Sequence, residues 1–171
     1  SIPRSVNGSE ISVSGHAYAL SKAEIYDNVL FHGKDFQSIE AVTVSARAGM
    51  VARVQSCPAP TDWIDEPLRN VWLSDPLALD SAFQLMILWS VENHEAPSLP
   101  CAIGQYRQYK KRFPRDGVEL RTVVIQESAH QARAHVEFVA SDGSLIARME
   151  NYECVMDASL KKAFRQKQLL S

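Results

Sequence analysis

Ser74-Asp75-Pro76-Leu77-Ala78-Leu79-Asp80-Ser81-Ala82-Phe83-Gln84-Leu85-Met86-Ile87-Leu88-Trp89 reads as the one long apolar helix of an otherwise strand-rich chain. Asp75 suits the N-cap, and Pro76 suits the first helical position, where its missing N–H breaks no bond. Leu77, Leu79, Phe83, Leu85, Met86, Leu88 and Trp89 make most of the surface apolar, the pattern of a buried helix. Asp80 and Gln84 interrupt that pattern one turn apart, on the same face. A carboxyl in such a helix must be paired, hydrogen-bonded, protonated or set in a cleft. The sequence is thus compatible with either a satisfied core polar residue or a site at Asp80, and with either a core amide or a site residue at Gln84.

The chain has 171 residues, enough for one domain with a sizeable core. Hydrophobic residues make up 46% and charged residues 22%, as in globular proteins, and the net charge of −2 gives no electrostatic reason to expect a nucleic-acid partner. No apolar run reaches membrane-spanning length, so no membrane partner is expected. Nothing at the N-terminus has the layout of a signal peptide. The chain starts without a methionine and is expected to be a piece of a longer polypeptide. Cys57, Cys101 and Cys154 are widely spaced and odd in number, which fits neither a metal pair nor a disulfide framework and suits a reducing cytoplasm.

Working outward, residues 1–20 read as an N-terminal linker, with a short strand around Ile11 and Val13. Ser21 and Glu24 form a capping-box pair that opens a helix ending by Gly33. Ser38–Val44 and Met50–Gln55 read as strands joined by a turn at Arg47-Ala48-Gly49. Residues 56–73 are irregular, with Trp63 and Trp72 as anchors, and 95–100 is a loop after the helix. Four strands follow, at Ala102–Phe113, Val118–Gln126, Ala132–Val139 and Leu145–Val155, the last two joined by the turn Ser141-Asp142-Gly143-Ser144. Residues 157–171 read as a basic helix or a linker. One long apolar helix among about six strands predicts an antiparallel sheet wrapped around that helix, an α+β architecture.

With these residues, the pattern resembles the hotdog fold, and more specifically the second hotdog of the dehydratase domain of polyketide and polyunsaturated fatty acid synthases. Leu30-Phe31-His32-Gly33-Lys34-Asp35-Phe36-Gln37 is similar to that family's "YGPxF" segment, with His32 and Lys34 in place of Tyr and Pro. Asp75–Gln84 is similar to its "HPALLDAALQ" segment, with Asp75 in place of His. The two lie roughly forty residues apart, and the likeness covers about residues 24–156. It implies a hotdog domain over residues 21–156. The HxxxGxxxxP motif that supplies the family's catalytic histidine does not occur: His16 is followed by Leu20 where Gly would stand.

The resemblance implies dehydration of 3-hydroxyacyl thioesters on an acyl carrier protein to 2-enoyl products, in the cytoplasm and without a cofactor. A base takes the proton next to the thioester carbonyl, and an acid protonates the departing hydroxyl. Asp80 would be that acid. Gln84 would hold Asp80 or the leaving water, and His32, Gly33 and Phe36 would bind substrate. The base would be a histidine from another segment, and the partners would be the carrier-bound acyl chain and another hotdog half or homodimer mate. Two other readings stay open. One is a non-catalytic half-domain serving as a structural or carrier-binding module; the other is a hotdog thioesterase or product-template-like domain. His94, His130 and His135 have no companions at ligand spacing, so no metal is expected. Ser81 has no nucleophile elbow around it.

Overall fold

A computed structural model of the chain describes residues 9–168. The first eight residues of the expected linker and the last three of the expected C-terminal segment lie outside the described residues. Residues 9–15 form no strand, so the strand expected around Ile11 and Val13 is absent. Beyond them only His16 makes a bridge, to Ser45.

The first helix, α1 (Lys22–Asn28), starts on the capping box: the Ser21 backbone N–H donates to Glu24 Oε2 at 2.8 Å and the Glu24 N–H to Ser21 Oγ at 3.4 Å. It ends at Asn28, short of the expected Gly33. Strands β1 (Ile39–Ala46) and β2 (Gly49–Val54) form a hairpin. A one-turn helix, α2 (Pro60–Trp63), follows, where the sequence predicts only irregular chain.

The long helix α3 runs from Pro76 to His94. Asp75 caps it through Oδ1, which accepts the Ala78 N–H at 2.9 Å, while Oδ2 accepts the Cys57 N–H at 2.9 Å. Glu95, left-handed at φ 53°, closes its C-terminus with an N–H to the Val91 carbonyl.

Four further strands complete the sheet: β3 (Ser98–Gln108), β4 (Val118–Glu127), β5 (Gln131–Val139) and β6 (Leu145–Met156). β3 begins inside the expected loop and stops before the expected Phe113. Gly143, at φ 83°, makes the β5–β6 turn, a conformation that L side chains avoid. All six strands are antiparallel, in the order β1-β2-β4-β5-β6-β3.

The sheet curls around α3 in the expected hotdog arrangement. Leu85, Met86, Leu88 and Trp89 are buried against Met50, Leu120, Val136, Phe138 and Met149. Each such side chain contributes roughly 1.5–3 kcal/mol on burial. The helix is buried round most of its circumference, so it has no polar stripe to face water.

The convex face carries one surprise. β5 alternation puts Glu137 on the side away from α3, yet Glu137 is fully buried. Its carboxylate accepts the Ile11 N–H at 3.0 Å, the Glu10 N–H at 3.0 Å, the Ser9 hydroxyl and the Arg148 guanidinium. The expected linker is, at residues 9–11, a strap bound to the sheet. The C-terminal helix, α4 (Leu160–Gln168), is seated by Phe164, which is 7% exposed and packs on Phe31 with ring centroids 4.2 Å apart.

Candidate active site

Residues 29–38 fold back over the first half of α3. A single 3-10 turn spans Lys34–Phe36, with the Phe36 N–H on the Gly33 carbonyl at 2.9 Å. The Gln37 side-chain amide donates to the His32 carbonyl at 3.1 Å. These bonds close the loop on itself and turn the His32 ring inward. That ring stacks on Phe31 at 4.4 Å, with 25° between planes. The His32 side chain is only 11% exposed, and Nε2 lies 3.5 Å from Asp80 Oδ2. That distance is the outer limit of a hydrogen bond.

Gln84 is fully buried and organises the site. The Ile39 N–H donates to the Tyr26 hydroxyl oxygen at 2.9 Å, and the Tyr26 O–H donates to Gln84 Oε1 at 2.8 Å. A backbone N–H can only donate, so the Tyr26 proton is directed at Gln84 and fixes its amide orientation. The Gln84 NH₂ then donates to the Phe36 carbonyl at 2.8 Å and to Asp80 Oδ2 at 2.7 Å. Burial above all, with the Asp80 charge adding to it and the Ile39 bond opposing, holds the Tyr26 phenol well above its usual range, so it stays a donor. Tyr26→Phe orphans the Ile39 N–H and Gln84 Oε1 and should cost about 1–3 kcal/mol in urea unfolding. It should also slow any reaction that depends on Asp80 placement.

Asp80 and His32 face a cavity of about 430 Å³ whose walls are Phe31, Phe36, Phe83, Ile87, Leu99 and Pro100. Gly33 also lines it, and a Cβ built on Gly33 would meet no atom within 4 Å. Its φ of −63° needs no glycine either, so the position has room for a side chain. The cavity is an apolar groove with one carboxyl and one imidazole in its wall. All five residues expected at the site, Asp80, Gln84, His32, Gly33 and Phe36, meet here. Tyr26 escapes a sequence reading because it touches Gln84 across 58 residues and carries no motif.

The other candidates lie elsewhere. His16 Nε2 is 3.4 Å from Glu92, twelve residues beyond Asp80 on α3 and so about 18 Å along the helix. His94 is bound to Glu127 at 2.9 Å, and His135 accepts the Asn151 N–H at 3.1 Å. Ser81 is fully buried and donates to the Leu77 carbonyl at 2.7 Å. A second cavity, of about 490 Å³, opens at the start of α3 beside Cys57 and Asp75. Burial first, and then the Asp75 charge, push the Cys57 thiol up to about 12, so it holds no thiolate nucleophile. Among the described residues, no group of three or more His, Cys, Asp or Glu is placed to hold a metal ion, and no helix is long and apolar enough to cross a membrane.

Comparison with known proteins gives three results. Residues 8–161 match the family model described as the polyketide synthase dehydratase N-terminal domain. Over 91 residues, 53% of this chain and 3% of the relative, the sequence is 28% identical to a polyunsaturated fatty acid synthase polypeptide of Thraustochytrium sp.. The fold matches the dehydratase domain from the CurJ module of the curacin polyketide synthase with a TM-score of 0.62 and 19% identity, over 81% of this chain and 50% of that one. It also matches the dehydratase domain of PpsC from Mycobacterium tuberculosis, in complex with C12:1-CoA, with a TM-score of 0.62 and 16% identity, over 88% of this chain and 56% of that one. The chain thus spans about half the length of these dehydratase structures.

Proposed function

The chain belongs to the polyketide synthase dehydratase family, and we propose that it is the hotdog of such a dehydratase that carries the acid. It takes part in removing water from a 3-hydroxyacyl thioester delivered on an acyl carrier protein, in the cytoplasm, and yields the 2-enoyl thioester. The observation that carries this reading is Asp80, a carboxyl held by the buried Gln84 in the wall of an apolar cavity. A hydroxide is a poor leaving group, and a proton from Asp80 lets it depart as water. Gln84 donates to Oδ2, which leaves Oδ1 to carry that proton toward the substrate. Phe36, Phe83 and Leu99 hold the acyl chain by exclusion of water.

The place as second hotdog rests on the Asp75–Gln84 segment, since the matching family model is named for the N-terminal domain. β3 is where the other hotdog, or a second copy, would join. It is an edge strand of 11 residues, exposed from Leu99 to Arg107, with Leu99, Ile103 and Tyr106 presented to solvent. Leu99 and Pro100 also line the cavity, so a partner laid along β3 would roof it.

The test is the full-length protein given a 3-hydroxyacyl pantetheine thioester, with products followed by mass spectrometry. Loss of one water to give the enoyl thioester is expected. Release of free acid would replace this reading with a thioesterase. The missing HxxxGxxxxP motif favours a second reading, a non-catalytic half-domain; an unchanged acyl thioester together with carrier-protein binding would support it.

A further inference from the structure

We propose that His32 is the catalytic base of this site, so that base and acid both belong to this one chain. The inference rests on the dehydratase reading of Asp80 and adds the group that the reading lacked. The chain has no HxxxGxxxxP histidine, but it has an imidazole where the resembling motif carries Tyr. That imidazole is the one brought to the cavity: His16 and His94 pair with Glu92 and Glu127, and His135 is engaged by the Asn151 N–H.

Three features fit a working base. Nε2 of His32 and Oδ2 of Asp80 lie 3.5 Å apart and line the same cavity. Carbon 2, which loses a proton, and the oxygen on carbon 3, which gains one, are close neighbours in the substrate, so a base and an acid standing side by side can serve both. The ring is held by its stack on Phe31 and by the Gln37 amide on its own carbonyl, which limits its freedom before substrate arrives.

The step balances within the pair. Nε2 takes the proton from carbon 2. The thioester carbonyl holds the electron pair left behind as an enolate, and the pair then forms the carbon 2–carbon 3 double bond as the bond to the 3-oxygen breaks. That oxygen takes the Asp80 proton and leaves as water. Imidazolium and carboxylate then face each other, and the proton crosses from one to the other to restore the starting pair. No oxidant, reductant or external proton is consumed.

The experiment uses the 171-residue chain alone, with a 3-hydroxyacyl pantetheine thioester in deuterated water. Enoyl product and deuterium at carbon 2 are read together by mass spectrometry. The chain should give both. His32→Gln should lower product formation by at least about 100-fold and abolish the deuterium exchange. His32→Tyr is the second variant, because it places a ring against Phe31 without a basic nitrogen; it should fold and show the same double loss. Asp80→Asn should lose the product but keep exchange, since the base survives. Wild-type rates in the His32 variants, or exchange that persists in them, would overturn the proposal and leave the Asp80 reading intact. No turnover by the chain alone would also overturn it. The role of Asp80 would then be decided separately, in the full-length protein.

Discussion

Asp80→Asn is expected to lower dehydration by about 10²–10⁴-fold in whichever form of the protein turns over, or roughly 3–5.5 kcal/mol of transition-state stabilisation. The amide matches the carboxyl in shape and can still accept from the Gln84 NH₂, so the buried network through Tyr26 and Ile39 survives. What is lost is the proton that the leaving hydroxyl needs. The melting temperature should therefore stay near that of the wild type. The fall should appear in kcat with KM little changed, because proton donation belongs to the transition state and not to substrate holding. Steady-state kinetics and a thermal melt on the same preparation check both halves. A raised KM with kcat untouched would reassign Asp80 to binding.

The second large effect lies on the opposite face of the sheet. Glu137→Ala should destabilise the fold by about 2–4 kcal/mol, because it leaves the half-buried Arg148 guanidinium without its main carboxylate and the strap N–H groups without their acceptor. Glu137 is fully buried, and the Arg148 side chain is 12% exposed. Arg148 would keep only its contacts to Glu10 at 3.0 Å and Glu150 at 3.8 Å, both partners more open to water. Burial by itself would raise the Glu137 carboxyl. The Ser9 hydroxyl, the Ile11 N–H, Arg148 and the Glu10 N–H outweigh it and hold the group below the ordinary carboxylate value of 4.5.

The sign for stability follows from that depressed value. A depressed folded-state pKa contributes stability that is fully present above the unfolded value and is lost as pH falls through the folded one. Urea midpoints should thus hold steady near neutral pH and decline below about 4.5. Glu137→Gln should flatten that part of the decline. An unchanged slope in the variant would assign acid lability to other carboxylates.

Much of this architecture is legible in the residues because its signals are local. The α3 stretch has its cap at Asp75 and its proline at the first position, and both act in the structure as they act on the page. The capping box of Ser21 and Glu24 and the turn at Gly143 are equally local. The start of β3 is hidden because Pro100 reads as a breaker; on an edge strand its missing N–H removes no ladder bond on the open side. The end of α1 reads too late because Gly33 is the obvious stop, yet the chain leaves the helix at Asn28.

The candidate site is partly legible for the same reason. Asp80 and Gln84 are one turn apart, so their shared face follows from helix geometry alone. Tyr26 and the inward turn of His32 depend on a loop meeting a helix that lies dozens of residues later, and no local pattern encodes that meeting. Glu137 is the sharpest case. On a strand, an acidic residue away from the core face reads as solvated, and only the docking of residues 9–11 makes it buried.

That strap also sets an order of events on the ribosome. Ile11 is synthesised 126 residues ahead of Glu137, the carboxylate that receives its N–H. At about 5–20 residues per second, the segment waits roughly 6–25 s for its partner to emerge. Through that interval it must remain extended and uncommitted, open to chaperones and proteases, while the strands β1 to β4 gather around α3. The strap can close only once Glu137 has emerged, and in the folded chain Arg148 then shares that carboxylate across the β5–β6 hairpin. Resistance of residues 9–15 to proteolysis would then mark nascent chains from which Glu137 has emerged.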